Sequence, residues 1–226
     1  METNDKTKID RQLIQELMKE GENELFEAIE NFSEMLMRYN SAIREIRTKF
    51  EVLNDDLSLK NSRNPIESIE SRVKKPASIA KKLKKLGCPV TVEGIRDNLN
   101  DVAGVRVVCS FVDDIYSVAD MLSKQDDIRV VCVKDYIRTP KPNGYRSYHM
   151  IVEVPVFFSD RKENMRVEIQ IRTVAMDFWA SLEHQMRYKN ESEASKKIAD
   201  ELKECAETIA ATDVKMMELR KRIENQ

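Results

Sequence analysis

The segment Met165-Arg-Val-Glu-Ile-Gln-Ile-Arg172 alternates cleanly between apolar and polar residues. The apolar set is Val167, Ile169 and Ile171, and the polar set is Glu168, Gln170 and Arg172. Because successive side chains of a β-strand point to opposite faces, this alternation predicts a strand with one buried face and one polar face. Side chains that line a pocket are expected on the polar face.

Further strands and helices are predicted around this segment. Apolar residues are dense at 105–111, 128–137 and 148–158, which predicts three more strands. Helices are predicted at residues 77–86, 113–124 and 175–188. Pro76 begins the first of these helices and Gly87 ends it, as these residues commonly do. Together these elements predict an α+β fold, in which a mixed β-sheet is flanked by helices.

Both ends of the chain are predicted to be helical. Residues 25–53 carry apolar side chains at three- or four-residue spacing, which is typical of a long amphipathic helix, and Gly21 separates it from a short helix at 9–19. Near the C-terminus a heptad pattern runs through Ile198, Leu202, Cys205, Ile209, Thr212, Met216, Leu219 and Ile223. Two interpretations are open, namely packing on the N-terminal helix and contact between subunits.

The composition is that of a globular protein in water. Of the 226 residues, 41% are apolar and 35% are charged, and the formal net charge is -2. The polar N-terminus, METNDKTKID, argues against a signal peptide, and no apolar run reaches the length of a membrane span, so a cytoplasmic location is expected. The four cysteines lack metal-ligand spacing and are expected to be reduced, with Cys109 and Cys132 in the core.

The near-neutral net charge conceals a basic segment. Between residues 72 and 85 there is no acid, and the seven cations are Arg72, Lys74, Lys75, Lys81, Lys82, Lys84 and Lys85. Such a concentration favours an anionic ligand, although a solvated helix face has the same composition. Charge alone leaves both interpretations open.

Two isolated acids and one loop are the other candidates for chemistry. Asp101 precedes a predicted strand, Glu168 lies within one, and Lys141-Pro-Asn-Gly-Tyr-Arg-Ser-Tyr-His149 combines a turn with aromatic rings and donors. Phosphoryl or pyrophosphoryl transfer needs cations for the polyphosphate, carboxylates for Mg²⁺ and an acceptor for the hydroxyl proton, and an aromatic face suits a purine. The chain has no P-loop, so side chains must hold the phosphates. Taken singly, Asp101 also fits a capping residue, and Glu168 fits a solvated residue paired with Arg166 or Arg172.

Five blocks in order resemble the RelA/SpoT synthetase domain. They are Arg72-Val-Lys-Lys-Pro-Ala-Ser-Ile-Ala-Lys-Lys82, Asp101-Val-Ala-Gly-Val-Arg106, Asn143-Gly-Tyr-Arg-Ser-Tyr-His149, Val167-Glu-Ile-Gln-Ile-Arg-Thr173 and the segment from Trp179 to His184. The resemblance covers about residues 65–189, and the short chain with helical flanks is similar to the small alarmone synthetases of the RelQ-like group. It implies a nucleotidyltransferase-like fold, with an N-terminal helical arm at 1–60, a synthetase domain at 61–190 and a C-terminal helix at 191–226.

The resemblance also implies a reaction and its site residues. ATP would donate its β,γ-pyrophosphate to the 3′-hydroxyl of GDP or GTP, which gives ppGpp or pppGpp and releases AMP. Asp101 and Glu168 are implied as the catalytic acids, with Glu168 accepting the hydroxyl proton, and Asp101, Glu168 and Glu183 are implied as ligands of Mg²⁺. The implied nucleotide contacts are Arg72, Lys74, Lys82 and Arg106 for ATP, and Lys134, Lys141, Asn143, Tyr145, His149 and Gln170 for the guanosine nucleotide.

The resemblance implies a homotetramer without hydrolase activity. Larger relatives hydrolyse the product with several histidines, whereas this chain has only His149 and His184. We expect Trp179 in the core and His184 either packed or at the rim of a pocket. Two other functions stay open. One is binding of single-stranded RNA by the basic helix together with Tyr136, Tyr145 and Tyr148. The other is a nucleotidyl transfer that releases pyrophosphate, and identification of the products distinguishes it from the first reaction.

Overall fold

The computed structural model describes residues 22–60, 63–187 and 194–225. The short helix predicted at residues 9–19 lies outside these ranges. The described strands are β1 (Ile66–Val73), β2 (Ala103–Cys109), β3 (Arg129–Asp135), β4 (Tyr148–Phe157) and β5 (Lys162–Thr173). The described helices are α1 (Glu22–Lys60), α2 (Pro76–Leu86), α3 (Val92–Asn98), α4 (Val112–Ser123), α5 (Val174–Arg187) and α6 (Ala194–Glu224). Among these helices, none combines the length and the hydropathy that crossing a bilayer requires.

The strands form one mixed sheet in the order β1-β2-β5-β4-β3. Strands β2 and β5 run parallel, and the other neighbouring pairs are antiparallel. Strand β5 is central, so that Glu168 lies opposite Gly104 of β2 and Ile151 of β4. The strand that the alternation predicts is therefore the one that joins the two halves of the sheet.

One face of the sheet is the core of the protein. Val167, Ile169 and Ile171 are fully buried there, and they pack with apolar side chains of helices α1 to α4. The opposite face of β5 carries Glu168 and Gln170, which are half-buried. The helices therefore cover the apolar face and leave the polar face accessible to a ligand. The predicted α+β class and the mixed sheet are confirmed.

Helix α1 is part of this core. Its buried side chains are Met35, Tyr39, Ala42, Ile43, Ile46 and Phe50. They belong to the same apolar cluster as the strands. The three- and four-residue spacing that predicts the helix is therefore the spacing of its contact with the sheet. The boundary predicted at residue 60 does not separate two cores.

The C-terminal helix α6 packs through a stripe that differs from the predicted heptad. Residues that face the rest of the fold are Leu202, Ala206, Ile209 and Asp213. The exposed heptad residues include Ile198, Cys205, Thr212, Met216, Leu219 and Ile223. Helix α6 contacts α5 and α4. The described residues of α6 are therefore buried against α5 and α4, and not against the N-terminal helix, which was one interpretation of the heptad.

Two elements escape the sequence prediction. Strand β1 lies at an edge of the sheet, and its apolar residues Ile66, Ile69 and Val73 have the spacing of a helix. Helix α3 has 7 residues after its cap Thr91, which is too short for a periodic pattern. The expectation that Cys132 is buried is wrong, because β3 is the other edge strand and its side chains are largely exposed.

Candidate functional site

The polar face of the sheet carries a cleft with a volume of about 470 Å³, which we call the large cleft. Strands β1, β2 and β5 contribute to it, together with the loop between β3 and β4. Predicted site residues that line it are Arg72, Lys74, Asp101, Arg106, Lys141, Tyr145, His149, Glu168 and Gln170. Blocks that are far apart in sequence therefore meet in one concave site.

A second space of about 220 Å³, the small cavity, lies on the side of β3 and β4. Lys134, Tyr136 and Cys132 line it. The two spaces have three lining residues in common, which are Lys141, His149 and Glu168. The carboxyl group of Glu168 therefore lies where two ligand-sized spaces meet.

Asp101 is held between two lysines. Its Oδ2 accepts a hydrogen bond of 2.6 Å from Lys74 Nζ and another of 2.6 Å from Lys82 Nζ. The backbone N–H of Lys74 donates to Val102 O at 2.8 Å, which keeps the end of β1 beside Asp101. Burial alone would raise the pKa of Asp101, but the hydrogen bonds and charges of the lysines outweigh it, so the pKa is lowered. Asp101 Oδ1 is buried and has no hydrogen-bond partner in the described part of the chain.

Glu168 receives a hydrogen bond and a close imidazole contact on its two oxygens. Gln170 Nε2 donates to Oε2 at 2.9 Å, and His149 Nδ1 lies 3.4 Å from Oε1. Burial raises the pKa of Glu168, but the contacts with His149 and Gln170 lower it by more, so the net pKa is lowered. The charge of Asp101 acts in the raising direction, which means that the two acids interact electrostatically.

The arginines of β5 are not the direct partners of Glu168. Arg166 donates to Glu153 Oε1 at 3.1 Å and to Asn100 Oδ1 at 3.0 Å. Arg172 donates to other groups, described next. The interpretation of Glu168 as a solvated strand residue paired with Arg166 or Arg172 is therefore not supported.

Arg172 and Asp177 belong to the site although the sequence analysis gives them no role in it. Arg172 donates to Tyr145 Oη at 2.6 Å, to Gln170 Oε1 at 2.7 Å and to Asp177 Oδ1 at 3.0 Å. Asp177, in the first turn of α5, also lies 3.4 Å from Arg106 Nη1. The alternation places Arg172 on the polar face beside Gln170, and this was the signal for it. The position of Asp177 depends on how α5 packs, for which the sequence gives no signal.

The loop between β3 and β4 presents Tyr145. The N–H of Gly144 donates to Lys141 O at 2.8 Å, and the N–H of Tyr145 donates to Asn143 Oδ1 at 3.2 Å. Gly144 has a φ of 88°, which side chains other than glycine rarely allow. Lys141 Nζ lies 4.6 Å from the ring centroid of Tyr145 and 4.7 Å from that of Tyr136. The loop thus joins an aromatic surface to a cation.

Helices α5 and α6 support this loop from behind. Tyr145 packs against a small cluster formed by Trp179, Ala180 and Ala206. Trp179 is 5% exposed, which confirms its predicted burial, and its Nε1 donates to Leu202 O at 2.9 Å. His184 is exposed and lines neither cavity, so its expected position in the core or at a pocket rim is wrong.

Comparison with known proteins places the chain in a family. Residues 71–193 match the family described as a region found in RelA / SpoT proteins. The chain belongs to the RelA/SpoT family. A relative in this family, the GTP pyrophosphokinase YwaC of Bacillus subtilis (strain 168), is 45% identical over 202 residues, which are 89% of this chain and 96% of YwaC.

Two solved structures of small alarmone synthetase 1 from Bacillus subtilis share the fold of this RelA/SpoT-family chain. The structure bound to its product pppGpp has a TM-score of 0.78 and 35% identity, and the match covers 86% of this chain and 99% of that one. The structure bound to AMPCPP has a TM-score of 0.72 and 31% identity, with 87% of this chain and 100% of that one covered. The mixed sheet with flanking helices is therefore the fold of small alarmone synthetases.

Not every predicted site residue lies in the two cavities of this RelA/SpoT-family chain. Lys82 is adjacent to the large cleft through its bond to Asp101, and Lys134 lines the small cavity. Asn143 and Glu183 line neither space, and instead Asn143 Nδ2 donates to Glu183 Oε1 at 3.1 Å. Helix α5 thus directs Glu183 to the loop, so we do not retain it as a metal ligand together with the other two acids.

The two remaining acids fit a site for a divalent cation. Within the described ranges, no group of three or more histidine, cysteine, aspartate or glutamate side chains is arranged to hold a metal. Magnesium, however, is commonly held by one or two carboxylates, with water and substrate phosphate as its other ligands. The buried and unpartnered Oδ1 of Asp101 meets this need, and Glu168 lines the same cleft.

Proposed function

We propose that this chain is a (p)ppGpp synthetase, a GTP pyrophosphokinase that makes the alarmone of the stringent response. It transfers the β,γ-pyrophosphate of ATP to the 3′-hydroxyl of GDP or GTP and releases AMP. The observation that carries the proposal is the position of Glu168, an ionised carboxylate at the junction of a cation-lined cleft and a second cavity. Two reactants placed in these spaces meet at that carboxylate.

ATP is the ligand that we assign to the large cleft. Arg72, Lys74 and Arg106 line it, and Lys82 reaches it through Asp101. Cations on separate elements suit a flexible polyphosphate, since each phosphate needs its own partner. Arg106 is also placed to lie against the adenine, because a guanidinium can stack on a ring as well as bind phosphate. The ATP analogue bound by the small alarmone synthetase 1 relative supports a nucleotide in this fold.

We assign Mg²⁺ to Asp101 and Glu168. Asp101 would contribute its free Oδ1, and Glu168, on the neighbouring strand β5, would contribute a carboxylate oxygen. When bound, the ion neutralises charge on the polyphosphate during transfer. The lowered pKa of each acid keeps it ionised at neutral pH, which is the form that a cation binds.

The guanosine nucleotide is assigned to the side of the small cavity. Tyr145, which lines the adjoining large cleft, offers its ring to the base, and Lys134 and Lys141 offer donors to the phosphates. His149 lies between the two spaces, where its ring nitrogens face Tyr145 and Glu168. Asn143 acts indirectly here, since it closes the turn that presents Tyr145. Lys141, which lies over the rings of Tyr145 and Tyr136 in the ligand-free chain, must move when the base stacks. Gln170 holds Glu168 from the adjacent position on β5.

The chemical step follows from this placement. Glu168 accepts the proton of the 3′-hydroxyl as its oxygen attacks the β-phosphorus of ATP. A bond forms between the 3′-oxygen and the β-phosphorus, and the bond from the β-phosphorus to the oxygen shared with the α-phosphate breaks. AMP leaves with that oxygen, and the cations of the cleft balance the charge of both products.

The decisive test is Glu168→Gln, assayed by AMP release from ATP and GDP. We expect turnover to fall by at least about 100-fold, since positioned proton transfer contributes 10²- to 10⁴-fold, while calorimetric binding of each nucleotide persists. Glu67→Gln is the matched control, because Glu67, at the start of β1, accepts a hydrogen bond from Ser110 just after β2 and lines neither cavity, so turnover should stay intact. Near-wild-type turnover of Glu168→Gln would show that the assigned base is wrong. Release of pyrophosphate in place of AMP would establish the nucleotidyl transfer instead.

The structure does not support RNA binding by the basic segment at residues 72–85. Lys74 and Lys82 are directed to Asp101 inside the cleft, so they do not form a continuous cationic strip. Tyr148, one of the tyrosines considered for base stacking, packs edge-on against Tyr116 with ring centroids 5.6 Å apart. We therefore do not carry this function forward.

A homotetramer in the cytoplasm is the assembly and location that we propose. Helix α6 exposes apolar residues along one side, including Ile198, Met216, Leu219 and Ile223, and a partner subunit would cover them. The reactants are the cytoplasmic nucleotides ATP and GDP or GTP. Multi-angle light scattering at micromolar concentration tests the assembly. A monomer would contradict the proposed tetramer. Leu219→Lys should dissociate the tetramer, whereas the control Lys215→Glu should dissociate it to a smaller extent.

A further inference from the structure

The side chain of Arg172 is almost fully buried although it carries a charge. Only 6% of its side-chain surface is exposed. Its guanidinium donates to four groups, which are Ser147 Oγ at 3.4 Å, Tyr145 Oη at 2.6 Å, Gln170 Oε1 at 2.7 Å and Asp177 Oδ1 at 3.0 Å. A buried cation with this set of acceptors is fixed in one orientation. An ion pair with Asp177 alone would not require the other three contacts.

One chain of hydrogen bonds leads from Arg172 to Glu168 through Gln170. A guanidinium can only donate, so the end of the Gln170 amide that faces it must be the oxygen. The nitrogen of the same amide then faces the other way and donates to Glu168 Oε2 at 2.9 Å. Arg172 therefore decides which end of the amide the carboxylate meets.

A second chain leads to the other oxygen of Glu168. Tyr145 Oη accepts from Arg172, and its own proton is then directed to His149 Nε2 at 2.9 Å. A neutral imidazole that accepts at Nε2 carries its proton on Nδ1. This Nδ1 lies 3.4 Å from Glu168 Oε1. The two chains start at one guanidinium and end at the two oxygens of one carboxylate.

We propose that Arg172 is a positioning residue for the transfer reaction, because as an obligate donor it sets the direction of both hydrogen-bond chains that converge on Glu168. This proposal rests on the function proposed above. Each Glu168 oxygen then meets a donor and keeps a second lone pair, which can point to the junction of the two cavities where the hydroxyl proton arrives. Without Arg172, the amide and the imidazole can reverse and present acceptors to the carboxylate.

The main test is Arg172→Lys, studied by steady-state kinetics. A lysine retains the charge beside Asp177, but it lacks the planar fork that reaches Tyr145 and Gln170 together. We expect kcat to fall by about 10- to 100-fold, the effect of losing a supporting contact, with KM for ATP little changed.

A control variant on the same strand separates positioning from general loss of structure. Arg166→Lys makes the same chemical change on the same face of β5, but Arg166 binds Glu153 and Asn100, outside both chains. We expect its kcat and the tautomer of its His149 to match those of the wild type. Thermal unfolding of both variants shows whether each one is folded.

The imidazole of His149 gives a readout that does not depend on activity. The chain has 2 histidines, so ¹⁵N correlation spectra at pH 8 contain two imidazoles, and His184→Asn assigns them. The wild type should show the Nδ1–H tautomer for His149, and Arg172→Lys should show a mixture. If Arg172→Lys does not fold, Tyr145→Phe removes the hydroxyl link while keeping the pair of Arg172 and Asp177, and it should produce the same change.

Each outcome decides the proposal. Wild-type kcat in Arg172→Lys overturns it. A lower kcat with an unchanged tautomer of His149 overturns it as well, because that result would indicate a purely structural residue. Failure of the proposed function looks different, since the wild type would then release no AMP from ATP and GDP. In that case the tautomer comparison still decides whether Arg172 directs the two chains.

Discussion

Substitution of Gly144 by alanine tests how helix α6 supports the loop that presents Tyr145. An ideal Cβ at Gly144 would lie 2.6 Å from the Cβ of Ala206 and 3.5 Å from the Cα of Lys203, both on α6. Carbon atoms in van der Waals contact are about 3.5 to 4.0 Å apart, so loop and helix must separate by roughly 1 Å. The φ of 88° adds backbone strain for any residue with a side chain.

These two effects give an expected loss of stability. Left-handed backbone costs about 1 to 2 kcal/mol in a residue with a Cβ. Insertion of a methyl group into a packed contact costs about 1 to 3 kcal/mol, which brings the loss to roughly 2 to 5 kcal/mol. Under the proposed function, the loss of activity falls on the guanosine nucleotide, because Tyr145, the residue assigned to stack on its base, follows Gly144 directly. A displacement near 1 Å can cost as much as about 100-fold in rate, so we expect KM for GDP to rise by roughly 10- to 100-fold and KM for ATP to rise less.

Two other variants separate the strain from the clash. Gly87 has a φ of 70° but no atom within 4 Å of an ideal Cβ, so Gly87→Ala should lose the backbone term alone and leave KM for GDP unchanged. The double variant Gly144→Ala with Ala206→Gly removes the clash. It should recover most of the KM for GDP even though glycine in a helix costs about 1 kcal/mol.

Urea unfolding and initial-rate kinetics on these variants measure both quantities. If Gly144→Ala loses no more stability than Gly87→Ala and retains the wild-type KM for GDP, the loop does not rely on α6. If the stability loss appears but Ala206→Gly does not restore KM, the contact between the two methyl positions is not the cause, and the argument from the close approach is refuted.

Three further predictions concern stability. Phe50→Ala should destabilise the fold by about 3 to 5 kcal/mol in urea, because Phe50 is fully buried in the shared core, whereas Val52→Ala, at a site that is 60% exposed, should have little effect. The lowered pKa of Asp101 contributes stability that is present above about pH 3.8 and lost as the pH falls through the folded value, so wild-type stability should decline more steeply below pH 4 than that of Asp101→Asn. Burial raises the pKa of Asp213, and this effect is larger than the lowering effect of the hydrogen bond from Thr173. The ionisation of Asp213 therefore costs stability as the pH rises. Asp213→Asn should be more stable than the wild type at pH 7, and the difference should shrink towards pH 4.

The parts of the fold that the sequence predicts are those where local pattern and burial agree. Strand β5 is central and buried on one face, so its alternation is complete and gives the correct elements and faces. Strand β1 lies at an edge, where exposure relaxes the pattern, and its apolar residues take helical spacing by chance. The heptad in α6 predicts the helix but not its partners, since the helix has one buried and one exposed stripe, and the sequence does not say which of them meets its own chain.

The candidate site shows the same division. Residues from four of the five sequence blocks line the two cavities, because strand order brings those blocks together. The block from Trp179 to His184 lines neither cavity. The contacts of Glu183 and Asp177 could not be predicted from sequence patterns. Both lie on α5, and the way α5 packs turns one towards Asn143 and the other towards Arg172 and Arg106. Such contacts depend on tertiary packing, for which neither periodicity nor spacing carries information.

Asp101 lies among the cations of the large cleft and is paired with two of them. Lys74 and Lys82 are paired with Asp101, and Arg106 is paired with Glu70 and Asp177. Under the proposed function, a polyphosphate that enters exchanges carboxylate for phosphate at these cations, so little additional desolvation of the cations is needed on binding. Such an exchange would also free Asp101 Oδ2 from the lysines. Under the proposed function, Asp101 would then pair with the lysines before the nucleotide binds and would be available to hold Mg²⁺ afterwards.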